Sequence, residues 1–192
     1  VCHGWDNKGS ATQFNENDWF HTMKNTLIME ERLIRHIALM DEYDPDNKIG
    51  LMADEWGNWY DVEPNTNPGF LYQQNSLRDA LVAGISLNIL NSHCQRVYMA
   101  NLAQTINVLQ ALILTKGEQM LLTPTYHVFE MYRRHQGATL LPLDLQCNSY
   151  DYAPGGTGQV ESIPALSASA SRDQEGRIHL SVCNLDPNGG GE

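Results

Sequence analysis

The run Ile49-Gly50-Leu51-Met52-Ala53 constrains the fold more than any other feature of this chain. It is short, apolar and without polar alternation, and it stops abruptly at Asp54-Glu55-Trp56-Gly57-Asn58-Trp59-Tyr60. Such a run fits a strand buried on both faces, as in a parallel sheet. Parallel strands need crossover connections, usually helices, on either side. The flanking sequence supplies them. Residues 17–42 predict a long helix, capped by Asn17 or Asp18, with Phe20, Met23, Leu27, Ile34 and Ile37 at helical spacing and Leu33 and Leu39 widening the stripe. Asp44-Pro45-Asp46 is a turn signature that ends it.

Further along, residues 71–91 predict a second helix, 97–100 a short strand, 103–114 a helix, and 125–136 another helix stopped by Gly137. The DVEPNTNPGF stretch between the first strand and the second helix is a Pro/Asn/Gly loop. From Ala138 the periodicity changes. TLLPLDL, ALSASAS and RIHLSVC predict short strands, the last two flanking a hairpin-like RDQEG turn. The expected class is therefore α/β, passing into an all-β tail. Residues 1–137 are expected to be the C-terminal part of a (β/α)₈ barrel, and 138–192 part of an all-β sandwich. A whole barrel needs about 250 residues; this chain has 192. It opens VCHGW without an initiator Met and closes LSVCNLDPNGGGE within a turn pattern, so it reads as a fragment.

Composition excludes several classes of function. The 23 Asp+Glu against 12 Lys+Arg give a net charge of −11, which argues against a nucleic-acid partner. No apolar run approaches the ~18 residues of a membrane span. Cys2, Cys94, Cys147 and Cys183 form no C-x-x-C pair and read as reduced thiols of a cytoplasmic protein. No ligand pair has metal-site spacing. Gly155-Gly156-Thr157-Gly158 lacks the remainder of a phosphate loop, and no G-x-S-x-G elbow is present. Glu30-Glu31 with Arg35 reads as a helix-surface ion-pair set, and Arg133-Arg134-His135 as a helix C-terminal charge cluster.

The chemistry concentrates at one strand end. In βα barrels, active sites sit at the carboxyl ends of the strands. Glu55 ends the apolar run, and Trp56, Trp59 and Tyr60 follow it. Aromatic faces stack on sugars, and a carboxylate stabilises or attacks an oxocarbenium-like centre. The same spacing also fits a solvated strand-end Glu beside ordinary core tryptophans. His3 and Trp5 close the first strand and would converge on the same face. Asn101 and Gln104 follow the third strand, as hydrogen-bond donors to a sugar or as capping amides.

Three stretches carry a resemblance: LMADEWGNWYDVEPNTNPGFLYQQ, RDALVAGISLNILNSHCQRVYMANLAQTINVLQALILT and LLTPTYHVFEMYRRHQGATLLPLDL. Together they resemble glycoside hydrolase family 51, the α-L-arabinofuranosidases, over nearly the whole first region and into the tail. The D-E-W-x-x-W-Y motif and the M-A-N-x-A-Q-T-x-N-V-L-Q run are the most specific parts. The resemblance implies a catalytic barrel joined to a β-sandwich and retaining hydrolysis of terminal α-L-arabinofuranosyl residues from arabinose-containing oligosaccharides. It implies Glu55 as nucleophile after the seventh barrel strand, Trp59 lining the arabinofuranose subsite and Gln104 bonding the sugar after the eighth strand. His3 matches a family histidine near the nucleophile. Trp5 stands where the family usually has Tyr, so an indole N–H that donates but cannot accept replaces a hydroxyl; Cys2 and Gly4 also depart from the motif.

By the same resemblance the acid/base Glu follows the fourth strand, upstream of Val1, so no residue here is expected to fill that role. No cofactor is implied, and a homo-oligomer is expected for the full-length protein. The isolated chain is expected to show little activity and to aggregate through open strand edges. The alternatives are another retaining barrel glycosidase, acting on xylosides or glucans, and an inactive carbohydrate-binding remnant.

Overall fold

The structure, a computed structural model, describes residues 2–3, 9–154 and 158–190; for 2–3 it describes the backbone alone. The first half is a βαβαβ unit. Strand β1 (Cys2–His3) leads to helix α1 (Glu16–Tyr43), β2 (Leu51–Gly57), α2 (Leu77–Ser92) and β3 (Val97–Leu102). The three strands form one parallel sheet in the order β1-β2-β3, so β2 is central.

Helix α1 starts at a reciprocal capping box. The Asn15 side chain accepts from the Asp18 N–H at 3.1 Å, and the Asp18 carboxylate accepts from the Asn15 N–H at 3.1 Å. The cap is thus Asn15, two residues before the expected one. Phe20, Met23, Met29 and Leu33 are buried with Thr22 and Thr26. Ile34 and Leu39, expected in the stripe, are exposed. At the far end Arg96, just before β3, bonds Asp41, Asp44 and the Ile49 carbonyl, tying the α1 terminus to the start of the sheet.

Strand β2 begins at Leu51, two residues into the apolar run, and continues through Glu55 to Gly57. It is not covered on both faces. Met52 lies opposite Met99 of β3, and the two are 55% and 47% exposed. Helix α2 starts at Leu77, six residues later than the periodicity suggested, because residues 68–70 form a 3₁₀ turn and Leu71 takes a left-handed conformation at φ 51°.

Residues 103–112 are not helical. Asn107 and Leu109 have φ of 57° and 53°, outside helical space. Their backbone bonds run to distant segments, Leu109 N–H to Leu71 O and Asn107 N–H to Ile113 O. A hairpin follows, β4 (Ile113–Lys116) and β5 (Gln119–Leu122), turning at Gly117 with φ 59°. Helix α3 (Pro124–Tyr132) is capped by Thr123 and ends in a 3₁₀ turn before Gly137.

The tail holds β6 (Thr139–Leu141), β7 (Ser149–Tyr152), β8 (Glu161–Pro164), β9 (Leu166–Arg172) and β10 (Ile178–Asn184). An antiparallel sheet has the order β10-β9-β6, and β7 pairs with β8. The Asp173–Arg177 turn closes the β9–β10 hairpin as read from RDQEG. β7 and β8 carry no expected pattern, and of the GGTG loop residues 155–157 lie outside the described residues. The tail packs back on the first half. Tyr150 and Tyr152 lie against Phe20, with ring centroids 5.2 Å apart in each pair, and Trp19 donates to the Leu185 carbonyl at 2.8 Å.

Candidate active site

Glu55 sits near the carboxyl end of the central strand, half-buried. The register between β2 and β3 shifts between Ala53 and Trp56, so Asp54 and Glu55 lie in a bulge. Bulges re-aim side chains at strand ends. Asn101 of β3 donates to the Asp54 carboxylate at 3.3 Å across it.

The aromatic ring expected around Glu55 separates. Trp56 is 1% exposed and stacks on Phe129 of α3 at 5.9 Å, so it belongs to the core. Tyr60 is buried beneath the Arg78 guanidinium, 4.1 Å from the ring centroid. Burial, reinforced by the nearby Asp79 charge, pushes the Tyr60 phenol well above its ordinary range. Trp59, between the two buried neighbours Asn58 and Tyr60, stays half-buried.

That turn is held from below by three polar side chains that the sequence reading did not single out. The Asn58 amide donates to Asp79 Oδ1 at 3.1 Å, while Asp79 Oδ2 caps α2 through the Ser76 N–H at 2.8 Å. Gln73 Oε1 accepts from the Tyr60 N–H at 2.9 Å. Gln110 bonds the backbone around Gly57. Burial raises the Asp79 carboxyl above its usual range despite these donors. Local sequence marks only the Ser76–Asp79 cap, because the contacts of Asp79, Gln73 and Gln110 with this turn span 13 to 54 positions.

Gln104 follows β3 across a cis Ala103–Gln104 peptide and is exposed. It lines an open cleft of about 1190 Å³ between the 66–72 loop and the β4–β5 hairpin, with Phe70, Tyr72 and Met120. Glu55 and Trp59 are not part of that lining among the described residues. His3 pairs in parallel register with Gly57, which sets its backbone beside the carboxyl end of β2; its side chain and all of Trp5 lie outside the described residues.

A parallel βα unit with a carboxylate at the end of its central strand is the arrangement of an α/β enzyme site. The profile of the alpha-L-arabinofuranosidase C-terminal domain family matches residues 54–186, and the chain belongs to that family, within the family 51 arabinofuranosidases. It is 50% identical over 184 residues to a Bacteroides ovatus protein named as an intracellular exo-α-L-arabinofuranosidase, covering 95% of this chain and 35% of that protein. The solved family 51 arabinofuranosidase of Xanthomonas axonopodis pv. citri superposes with a TM-score of 0.91 at 48% identity, over 97% of this chain and 36% of that one. The Thermotoga maritima α-L-arabinofuranosidase, solved as an arabinose complex, gives a TM-score of 0.69 at 25% identity, over 86% of this chain and 35% of that one. The chain thus spans about a third of the length of these relatives.

Proposed function

We propose that this chain forms the nucleophile side of the active site of a retaining α-L-arabinofuranosidase, one that removes terminal non-reducing α-L-arabinofuranosyl residues from arabinose-containing oligosaccharides. The observation that carries this reading is Glu55 at the carboxyl end of the central parallel strand, flanked by the strand ends that lead to His3 and Gln104. Glu55 attacks the anomeric carbon and forms a covalent arabinosyl-enzyme. A second carboxyl group, from a part of the protein outside this chain, protonates the leaving oxygen and then activates water. Retention requires the two carboxyls about 5–5.5 Å apart. Trp59 stacks on the sugar, Gln104 bonds its hydroxyls, and His3 and Trp5 are assigned to sugar binding on the family resemblance.

Residues 1–137 are read as the C-terminal part of a (β/α)₈ barrel and 138–192 as part of a β-sandwich. Two bare apolar faces support this. The Met52–Met99 face of the parallel sheet matches a barrel interior, and Ile178, Leu180 and Val182, each over half exposed on one side of β10, match a sandwich interior awaiting its second sheet. No membrane partner is proposed; among the described residues no helix is long and apolar enough to cross a membrane. A cytoplasmic location and a homo-oligomer remain part of the proposal.

The test uses the full-length protein on an aryl α-L-arabinofuranoside. Glu55→Ala should abolish turnover, and azide should restore it as an arabinosyl azide of inverted configuration. Undiminished activity of Glu55→Ala overturns the assignment. Activity on xylosides or glucans in place of the arabinofuranoside keeps the strand-end nucleophile and discards the sugar. The isolated 192-residue chain should show no turnover.

A further inference from the structure

Strands β2 and β3 part company beyond the Trp56–Leu102 pair, the last in their register. Glu55 immediately precedes Trp56 on β2, and Gln104 follows Leu102 of β3 by two residues. No main-chain bond joins the two strands past that pair in the sheet register, and one side chain takes over. Gln110 is 2% exposed and uses its amide on three backbone groups. Its Nε2 donates to Trp56 O at 3.2 Å and to Ala103 O at 2.9 Å, and its Oε1 accepts from the Asn58 N–H. Trp56 and Asn58 flank Gly57, and Ala103 immediately precedes Gln104.

The backbone between these contacts is shaped for that amide. Gly57 has φ 115°, a conformation that L side chains rarely adopt, and a Cβ there would collide with the Gln110 amide. Gln110 itself follows Leu109, whose left-handed φ of 53° turns the segment inward. A buried amide with both ends satisfied has one low-energy placement, because rotating it by half a turn would face oxygen to two carbonyls.

We infer that Gln110 is a positioning residue for the glycosidase reaction: it joins the ends of β2 and β3 and thereby sets the nucleophile Glu55 relative to the sugar-binding Gln104. This rests on the functional reading given above. Misplacing a reacting group by about 1 Å costs on the order of a hundredfold in rate, so the residue acts on turnover rather than on affinity for the sugar.

The experiment uses the full-length enzyme with Gln110→Glu and Gln110→Met. Glutamate keeps the acceptor for Asn58 but, when ionised, turns oxygen toward the Trp56 and Ala103 carbonyls; methionine keeps the length and loses every bond. Both should lower kcat at least tenfold with KM within about threefold, at a temperature well below each variant's Tm. Protonated glutamate regains one donor, so the deficit of Gln110→Glu should shrink as pH falls, whereas that of Gln110→Met should not. Wild-type kcat in a folded variant, or pH profiles of Gln110→Glu parallel to wild type, overturns the inference. Failure of both variants to fold overturns it too, since Gln110 would then be a requirement of the fold and not of alignment. Glu55→Ala assayed alongside separates the two proposals: activity retained there removes the nucleophile assignment, and wild-type kcat in Gln110→Glu beside an inactive Glu55→Ala removes the positioning role alone.

Discussion

Helix α2 is the wall shared by two sheets, and it meets them with opposite chemistry. It packs against β2 and β3 of the parallel sheet and against β9 and β10 of the antiparallel one. Gly84, Asn88 and Asn91 fall on one stripe by the helical period, and that stripe faces the antiparallel sheet. Asn88 bonds Ser167 at 3.2 Å, Ser169 at 2.8 Å and the Tyr132 hydroxyl at 2.8 Å, and Asn91 bonds Ser169 at 3.3 Å. Burial, aided by Cys183, pushes the Tyr132 phenol up, and burial does the same to the Cys183 thiol. Val82 and Ile89 lie roughly opposite that stripe, both under 5% exposed. Away from that stripe α2 is held by apolar burial, whereas the antiparallel contact works by the geometry of a small hydrogen-bonded cluster. The inner face of β9–β10 is accordingly Ser167, Ser169, Ser171 and Ser181 with His179 and Cys183, while its outer face is apolar.

Substitutions on the two sides should fail in different ways. The largest effect is expected for Ile89→Ala, which removes buried volume on the apolar side and should cost about 2–5 kcal/mol in chemical denaturation. Gly84→Val comes next, at about 1–3 kcal/mol, because an added Cβ lies 2.5 Å from Cys183 Sγ. Asn88→Ala should cost about 1.5 kcal/mol, by stranding buried hydroxyls. Adding Ser169→Ala to it should cost less than the sum of the two single changes; strict additivity would mean that the cluster is not a unit. Equal losses for Ile89→Ala and Asn88→Ala with no coupling would erase the contrast between the two faces.

The smallest effect concerns His135, held between Ser171 Oγ and Ser181 Oγ at 2.8 Å each. Burial, with His179 adding repulsion, keeps its pKa below the ordinary 6.5. The unfolded chain then binds the extra proton more readily, so this contribution is complete above pH 6.5 and is lost as pH falls through the lower folded value. The melting temperature should drop on acidification more steeply for wild type than for His135→Gln. Parallel curves would show that the imidazole takes up its proton as readily in the folded chain as in the unfolded one.

Legibility followed the same division. The α1 helix could be read because its period is local, although the cap was expected at Asn17 or Asp18 and the Asn15–Asp18 box was not singled out. Glu55 and Trp59 could be picked out as candidates because an apolar run ends at a carboxylate, and Gln104 because it follows the next strand. Trp56 and Tyr60 looked equivalent to Trp59, and only packing against Phe129 and Arg78 withdrew them. Residues 103–112 carry apolar spacing that suits a helix, and their left-handed residues and long-range bonds overrode it.

By itself, the sequence determined the alternation of parallel strand and helix as far as β3, the strand-only tail after Gly137, the family, and the strand end at which an acidic and an aromatic residue stand together. These follow from period, turn residues and motifs, all of which act over a few positions. Only the tertiary structure decided which aromatics remain beside Glu55, that α2 serves two sheets, and that Gln110 joins the two strand ends. Those outcomes depend on contacts between residues far apart in the chain, where burial and the need to satisfy every buried polar group select one arrangement among many that local sequence permits.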